Sequence, residues 1–245
     1  MRTLGIEREW FITENGKIVP RIGEFLPKIW EQAQNNGFVK TQFGFELFAG
    51  QVEDRTKVSL SIGELIVSLS ENEQLLRTVG RSMGLGIFCK DYVTEEELGE
   101  LVVNPFDERH HKIWAEIPKE RKVAASQVAA THIHVSASLE EAVKALNACR
   151  KDLIDELVGL GDFSAGKRIQ AYRVMAKTYG EPPLFRGAEE LMAYISEHGG
   201  ERNVWDLVRY KPSTGTVEFR MFGATENQDK IIEFVRACQS VVERA

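Results

Sequence analysis

Leu4-Gly5-Ile6-Glu7-Arg8-Glu9-Trp10-Phe11-Ile12 is the stretch whose reading decides the fold, because its bulky residues fall on alternate positions, the period of a β-strand. Leu4, Ile6, Trp10 and Ile12 then share one face, with Glu7 and Glu9 on the other. Two carboxylates at i and i+2 repel each other unless a cation or solvent lies between them. A divalent cation is one reading and a solvated polar face is the other.

Three further segments carry polar pairs at the same spacing: Gln51 with Glu53, His132 with His134, and Glu218 with Arg220. Each has a plainer alternative, such as a hydrogen-bonded histidine pair or two surface charges that neutralise one another. If the four segments lie in one sheet covered on its apolar side by helices, the pairs meet on the uncovered face. Carboxylates with imidazole suit Mg²⁺ or Mn²⁺ better than zinc. Mg²⁺ held by few carboxylates completes its shell with water and phosphate oxygens, which points to ATP.

Around these strands the pattern is mostly helical. Glu14 to Lys17 reads as a hairpin turn, Phe25 to Asn36 as a helix closed by Gly37, and Phe43 to Arg55 as an extended pair interrupted at Ala49-Gly50. Ser61 to Leu85 is the strongest helix, with Ser61 and Glu64 in capping-box register. Ile87-Phe88-Cys89 reads as a short strand, Thr94 to Leu101 and Glu108 to Glu116 as short helices, and Ala129 to Ala137 as a strand. Leu139 to about Leu160 has the spacing of one long helix, and Gly159 to Gly180 reads as loop-rich around Tyr172-Arg173. Ala188 to Glu197 is helical, Thr216 to Phe222 is the last strand, and Asn227 to Val242 is a closing helix.

The 245 residues suit one domain over 1–245, and a net charge of −6 argues against nucleic acid or an anionic membrane as the main partner. Cys89, Cys149 and Cys238 have no metal-ligand or disulfide spacing. With no apolar leader and no membrane-length run, the cytoplasm is the expected compartment. The sequence leaves a homo-oligomer open. Gly161 to Lys167 imitates the start of a P-loop, but Arg168 stands where Ser or Thr must reach the metal.

At these residues the chain resembles the glutamate–cysteine ligase family, in its carboxylate–amine ligase branch related in fold to glutamine synthetase. Gly5 to Glu9 resembles the family's opening strand, Glu46 with Gln51-Val52-Glu53 its second acidic element, and His132 to Val135 its paired-histidine strand. Tyr172-Arg173, Gly180, Pro182-Pro183 and Phe185 follow the order of its middle segment. Trp205-Asp206, Arg209 and Pro212, leading into Gly215-Thr216-Val217-Glu218-Phe219-Arg220, form the most specific match. The chain departs from the family in being shorter, in an extra residue between Trp205 and Pro212, and at Gly161 to Arg168.

The resemblance implies an α+β fold, a curved antiparallel sheet with flanking helices and a glutamine synthetase-like catalytic domain. It implies ATP with two or three Mg²⁺ ions on the concave face. Glu7, Glu9, Glu53, His134 and Glu218 become metal candidates, with Glu46, Gln51 and His132 as second choices, assigned with Arg220 to the nucleotide. Arg173, Arg209 and Arg220 would meet phosphate or carboxylate. The implied activity joins glutamate, or a similar carboxylate, to cysteine through an acyl phosphate. Its alternatives are another amine acceptor, a homologue that binds metal and nucleotide without catalysis, and a structural domain.

Overall fold

The computed structural model describes residues 2–245. The opening stretch forms β1 (Leu4–Glu14), which turns at left-handed Asn15 and Gly16 into β2 (Lys17–Ile18). Helix α1 (Ile22–Asn35) follows, then β3 (Phe43–Phe45), β4 (Gln51–Arg55) and α2 (Ile62–Ser82), whose cap Ser61 accepts from the Glu64 amide. Next come β5 (Gly86–Phe88), α3 (Glu108–Glu116), α4 (Lys119–Gln127) and β6 (Ala130–Ser136). The remainder is α5 (Leu139–Ala148), α6 (Lys151–Leu160), α7 (Lys167–Ala176), α8 (Ala188–Glu197), β7 (Val208–Lys211), β8 (Thr216–Gly223) and α9 (Gln228–Glu243).

The strands make one antiparallel sheet in the order β3-β4-β1-β6-β8-β7, with β2 and β5 also pairing with β1. One face carries Leu4, Ile6, Ile133, Val135, Val217 and Phe219, buried against α2, α5 and α9. Farther along, Trp10, Ile12 and Val52 of the same face pack against α1 and α2. None of the helices in the described residues is long and apolar enough to cross a membrane.

The register between β6 and β8 shifts by one residue: Ile133 faces Phe219 but Thr131 faces Phe222, so Arg220 and Met221 share the space of a single partner. Arg168 compensates for the disturbed ladder. Its guanidinium donates to the carbonyls of Ala129, Arg220 and Met221. This accounts for the imitation P-loop, whose arginine is a structural fastening and whose Asp162 accepts from the Ser164 and Gly166 amides of its own turn.

The structure corrects the sequence reading in several places. The expected long helix from Leu139 to Leu160 breaks at Cys149-Arg150, where extended Arg150 (φ −88°, ψ 173°) donates to the Pro182 carbonyl and pairs with Glu181. The loop-rich segment contains α7, whose flanking Gly166 and Lys177 both have positive φ and whose apolar residues form no clean stripe. Thr94 to Leu101 holds only a 3₁₀ turn at Glu95–Glu97. Helix α4 and the four-residue β7 had no pattern long enough to announce them.

Arg8 shares the covered face of β1 with the apolar residues and is 1% exposed. A buried guanidinium needs partners. Asp54 supplies an oxygen 3.1 Å from Nε, Glu73 lies 3.4 Å from an Nη atom, and the Leu69 carbonyl accepts another. Asp54 also accepts from Trp10 Nε1 at 2.6 Å and from Asn72 at 3.1 Å. Arg8→Ala leaves Asp54 buried beside an empty space and should cost about 3–5 kcal/mol in urea unfolding. In that background Asp54→Ala should cost much less than it does alone, because the two residues are in contact.

Candidate active site

The functional side chains lie on the face of the sheet opposite Leu4 and Ile133, and strand register brings them together. Glu9 faces Glu53 across β1 and β4, Glu7 faces His132 across β1 and β6, His134 faces Glu218 across β6 and β8, and Glu218 faces Arg209 across β8 and β7. Alternation along five strands therefore converts residues far apart in sequence into neighbours.

They form two groups. Glu7, His134 and Glu218 offer ligand atoms all within 4.8 Å of one another, and so do Glu9, Glu46 and Glu53. His132 stands between them, with Nδ1 3.5 Å from Glu7 and 3.6 Å from Glu218, and Nε2 3.7 Å from Glu9. Glu46 is not on a strand. Asn104 holds its backbone by donating to the Glu46 carbonyl at 2.7 Å, while its own side-chain oxygen accepts from the Phe106 and Asp107 amides.

The groups differ in charge balance. Burial works against ionised Glu7, but His134, His132 and Lys211 outweigh it and hold its carboxyl well below the usual range. Burial opposes Glu218 too, and Arg209 and Arg220 likewise keep it ionised. In the other group burial is the largest cause and repulsion adds to it. Glu9 is pushed up to about 8 with Glu53 beside it, and Glu46 to about 7 with Glu9 beside it. Glu53 is also raised well above its ordinary value by burial, although Arg55 opposes the change. Burial and then Arg220 lower His132 to about 4, so its ring is neutral at pH 7.

A cavity of about 700 Å³ opens over this face, lined by Glu7, Glu9, Glu46, Gln51, Glu53, His132, Arg209 and Arg220 among others. Gln51 is tied to the Val128 carbonyl at 2.6 Å. His134 and Glu218 lie beneath the lining, 7% and 0% exposed. Arg173 is the candidate the fold leaves outside. It sits on a helix rather than in a loop, one residue past the lining Tyr172, and its guanidinium lies over Tyr179.

Sequence reasoning missed other lining groups. Arg55 continues the i, i+2 series of Gln51 and Glu53, and Lys211 stands two residues after Arg209 on the unrecognised β7. Both approach Glu7 to 3.6 Å. Arg109, Arg202 and Trp30 also line the cavity, and no spacing in the sequence connects them.

The model of glutamate–cysteine ligase family 2 matches residues 3–153, which include β1, β4 and β6 with their acidic and histidine pairs. The chain belongs to that family. Structural neighbours of the family-2 chain have the glutamine synthetase-like fold. A bifunctional glutathione synthetase from Pasteurella multocida has a TM-score of 0.51 at 14% identity, covering 99% of this chain and 39% of that one. A novel glutamine synthase homolog has a TM-score of 0.52 at 14% identity, covering 99% and 55%. GmaS without ligand has a TM-score of 0.53 at 13% identity, covering 99% and 54%. This member of family 2 thus spans between 39% and 55% of the length of these chains. No curated protein matches it.

The residues of both groups fit a hard divalent cation. They offer carboxylate oxygens and one imidazole, and buried His134 Nε2, with Glu7 Oε1 at 3.4 Å, makes no hydrogen bond among the described residues. Because Glu9 and Glu46 hold protons up to about pH 8 and 7, a cation must displace them. Mn²⁺ affinity should therefore rise from about pH 6 to about pH 8.5, with protons released on binding. Titration calorimetry in two buffers of different ionisation enthalpy measures both, and an affinity independent of pH is the contrary result. Without the cation the sign reverses for folding. The folded Glu9 keeps a proton that an unfolded glutamate gives up near 4.5, so its contribution to stability is lost as pH rises from 4.5 to about 8.

Proposed function

We propose that this chain is an ATP-dependent carboxylate–amine ligase of the glutamate–cysteine type, with residues 1–245 acting as one ligase domain in the cytoplasm. The observation that carries the reading is the meeting of two carboxylate groups with Arg209 and Arg220 on one cavity-lined sheet face. Membership of family 2 supports the same chemistry.

In the first step a side-chain carboxylate oxygen of glutamate attacks the γ-phosphorus of ATP. The new O–P bond forms as the bond to the bridging oxygen breaks, giving an acyl phosphate and ADP. In the second step the lone pair of the amine attacks the acyl carbon, the C–O bond to phosphate breaks, and the amine nitrogen loses a proton to the departing phosphate. Bound Mg²⁺, held by Glu9, Glu46 and Glu53 and by Glu7, His134 and Glu218, would supply positive charge against the phosphate oxygens.

The chain's own groups orient and neutralise. Glu218 braces Arg209 and Arg220, whose planar guanidinium groups suit phosphate or carboxylate oxygens. Arg209 is further fixed by the carbonyls of Glu201 and Val204. Arg220 Nε is buried with no hydrogen-bond partner among the described residues, a donor available to an anionic oxygen. Neutral His132 offers a hydrogen bond without adding charge. Tyr172, which donates to the Trp205 carbonyl, and Trp205 help wall the cavity from water. Among the described residues no cysteine lines the cavity, and the scheme needs no protein nucleophile.

One observation favours an amine acceptor other than cysteine. Arg109, Arg202 and Lys40 line the cavity and have no carboxylate within ion-pair distance among the described residues, which suits an acceptor with additional negative charge.

Glutamate, hydroxylamine and Mg-ATP should yield a hydroxamate with release of phosphate. Mg-ATP binding without hydroxamate would mark a binding homologue instead. Glu53→Gln should lower phosphate transfer by at least about a hundredfold with the circular dichroism spectrum unchanged, since it removes charge and little volume. Near-normal turnover would remove Glu53 from the site. Phosphate release across a panel of amines identifies the acceptor, with cysteine silent and an acidic amine active if the unpaired rim cations select it.

A further inference from the structure

The arginines of the cavity differ in how firmly they are held. Arg168 is fixed by three carbonyls, and Arg209 by Glu218 and two carbonyls. Arg220 is held by Glu218 and is 14% exposed at its side chain. Arg55 is different. Its side chain is 38% exposed, and its guanidinium lies against Glu53 and 3.6 Å from Glu7, with only the Thr41 carbonyl, at 3.2 Å, accepting from its far end.

The surroundings of those two carboxylates are unequal. Glu7 has Lys211 at 3.6 Å and His134 at 3.4 Å, so it stays partnered if Arg55 moves. Among the described residues, Arg55 is the one arginine or lysine in ion-pair contact with the Glu9, Glu46 and Glu53 group. The facing strand makes room for it. Gly44 pairs with Glu53 across β3 and β4, and a Cβ there would lie 2.8 Å and 2.9 Å from the two Nη atoms of Arg55. Those atoms are the far end of a flexible side chain, and the φ of Gly44 is not positive, so the glycine serves the guanidinium rather than the backbone.

We propose that Arg55 is a built-in counter-ion of the site: its guanidinium occupies the place beside Glu53 while no divalent cation is bound, and must swing off Glu53 when one binds. The inference rests on the metal-binding part of the ligase reading and adds to it an internal competitor. An arginine cannot give up its charge, so it can yield to a cation only by moving, which its exposure and slender anchorage permit.

The test is Mn²⁺ binding without nucleotide, followed by electron paramagnetic resonance of the free ion, for wild type, Arg55→Gln and Gly44→Ala. Arg55→Gln should bind Mn²⁺ about tenfold more tightly, the effect of losing one adjacent like charge. Gly44→Ala, which leaves every charge in place and displaces only the guanidinium, should shift affinity the same way by less. If Arg55→Gln does not fold, Gly44→Ala decides alone. Affinity equal to or weaker than wild type in the folded variants overturns the inference and leaves the ligase reading standing. No Mn²⁺ binding by any of the three proteins overturns both.

Discussion

Everything at this site depends on β1 lying between β4 and β6 in antiparallel register, because that pairing forces carboxylates to face one another. Glu9 stands opposite Glu53 on the same sheet face, an arrangement that destabilises a sheet by itself. The opposite face supplies the compensation. There Leu4, Ile6, Trp10 and Ile12 are fully packed, and Arg8 and Asp54 form a closed, buried network one residue away from the facing acids. The same strand thus carries tight packing on one side and stored repulsion on the other, a division common where structure is held ready for chemistry.

Charge is also divided within the cavity. Around Glu7 and Glu218 the chain provides Lys211, Arg209 and Arg220, and these acids stay ionised. Around Glu9, Glu46 and Glu53 it provides little beyond Arg55, and there burial favours protons. Two groups built from the same residue types are therefore prepared differently: one is a settled ionic structure, the other is short of positive charge. The second is where an incoming cation gains most.

Much of this was legible in the sequence because it follows from alternation. The period of two marks β1, β4, β6 and β8 and sets Glu7 with Glu9, Gln51 with Glu53 and His132 with His134 on one face of each strand, and the register of the sheet then joins those faces. What escaped had physical causes. Arg8 interrupts the apolar face of β1, and its role is visible only once Asp54 is placed beside it. Arg173 falls in a stretch whose pattern reads as loop, because α7 is flanked by left-handed residues and lacks an apolar stripe. Arg55 and Lys211 belong to the polar series, but one lies beyond the expected pair and the other on a strand too short to recognise. Arg109 and Arg202 reach the cavity from irregular segments and α3, which local pattern does not locate.

The one-residue offset where β8 passes β6 has an evolutionary corollary. With Arg220 and Met221 sharing one partner's place, Phe222 returns to the covered side and stacks on Phe234 at 4.3 Å. A single-codon deletion there would take away the extra residue together with a carbonyl that Arg168 serves, whereas a single-codon insertion would put Phe222 out of step with Phe219 and turn it towards the cavity. Substitutions can be absorbed along this strand, but its length cannot drift, so insertions and deletions should accumulate in the connections and leave the count from Thr216 to Gly223 untouched.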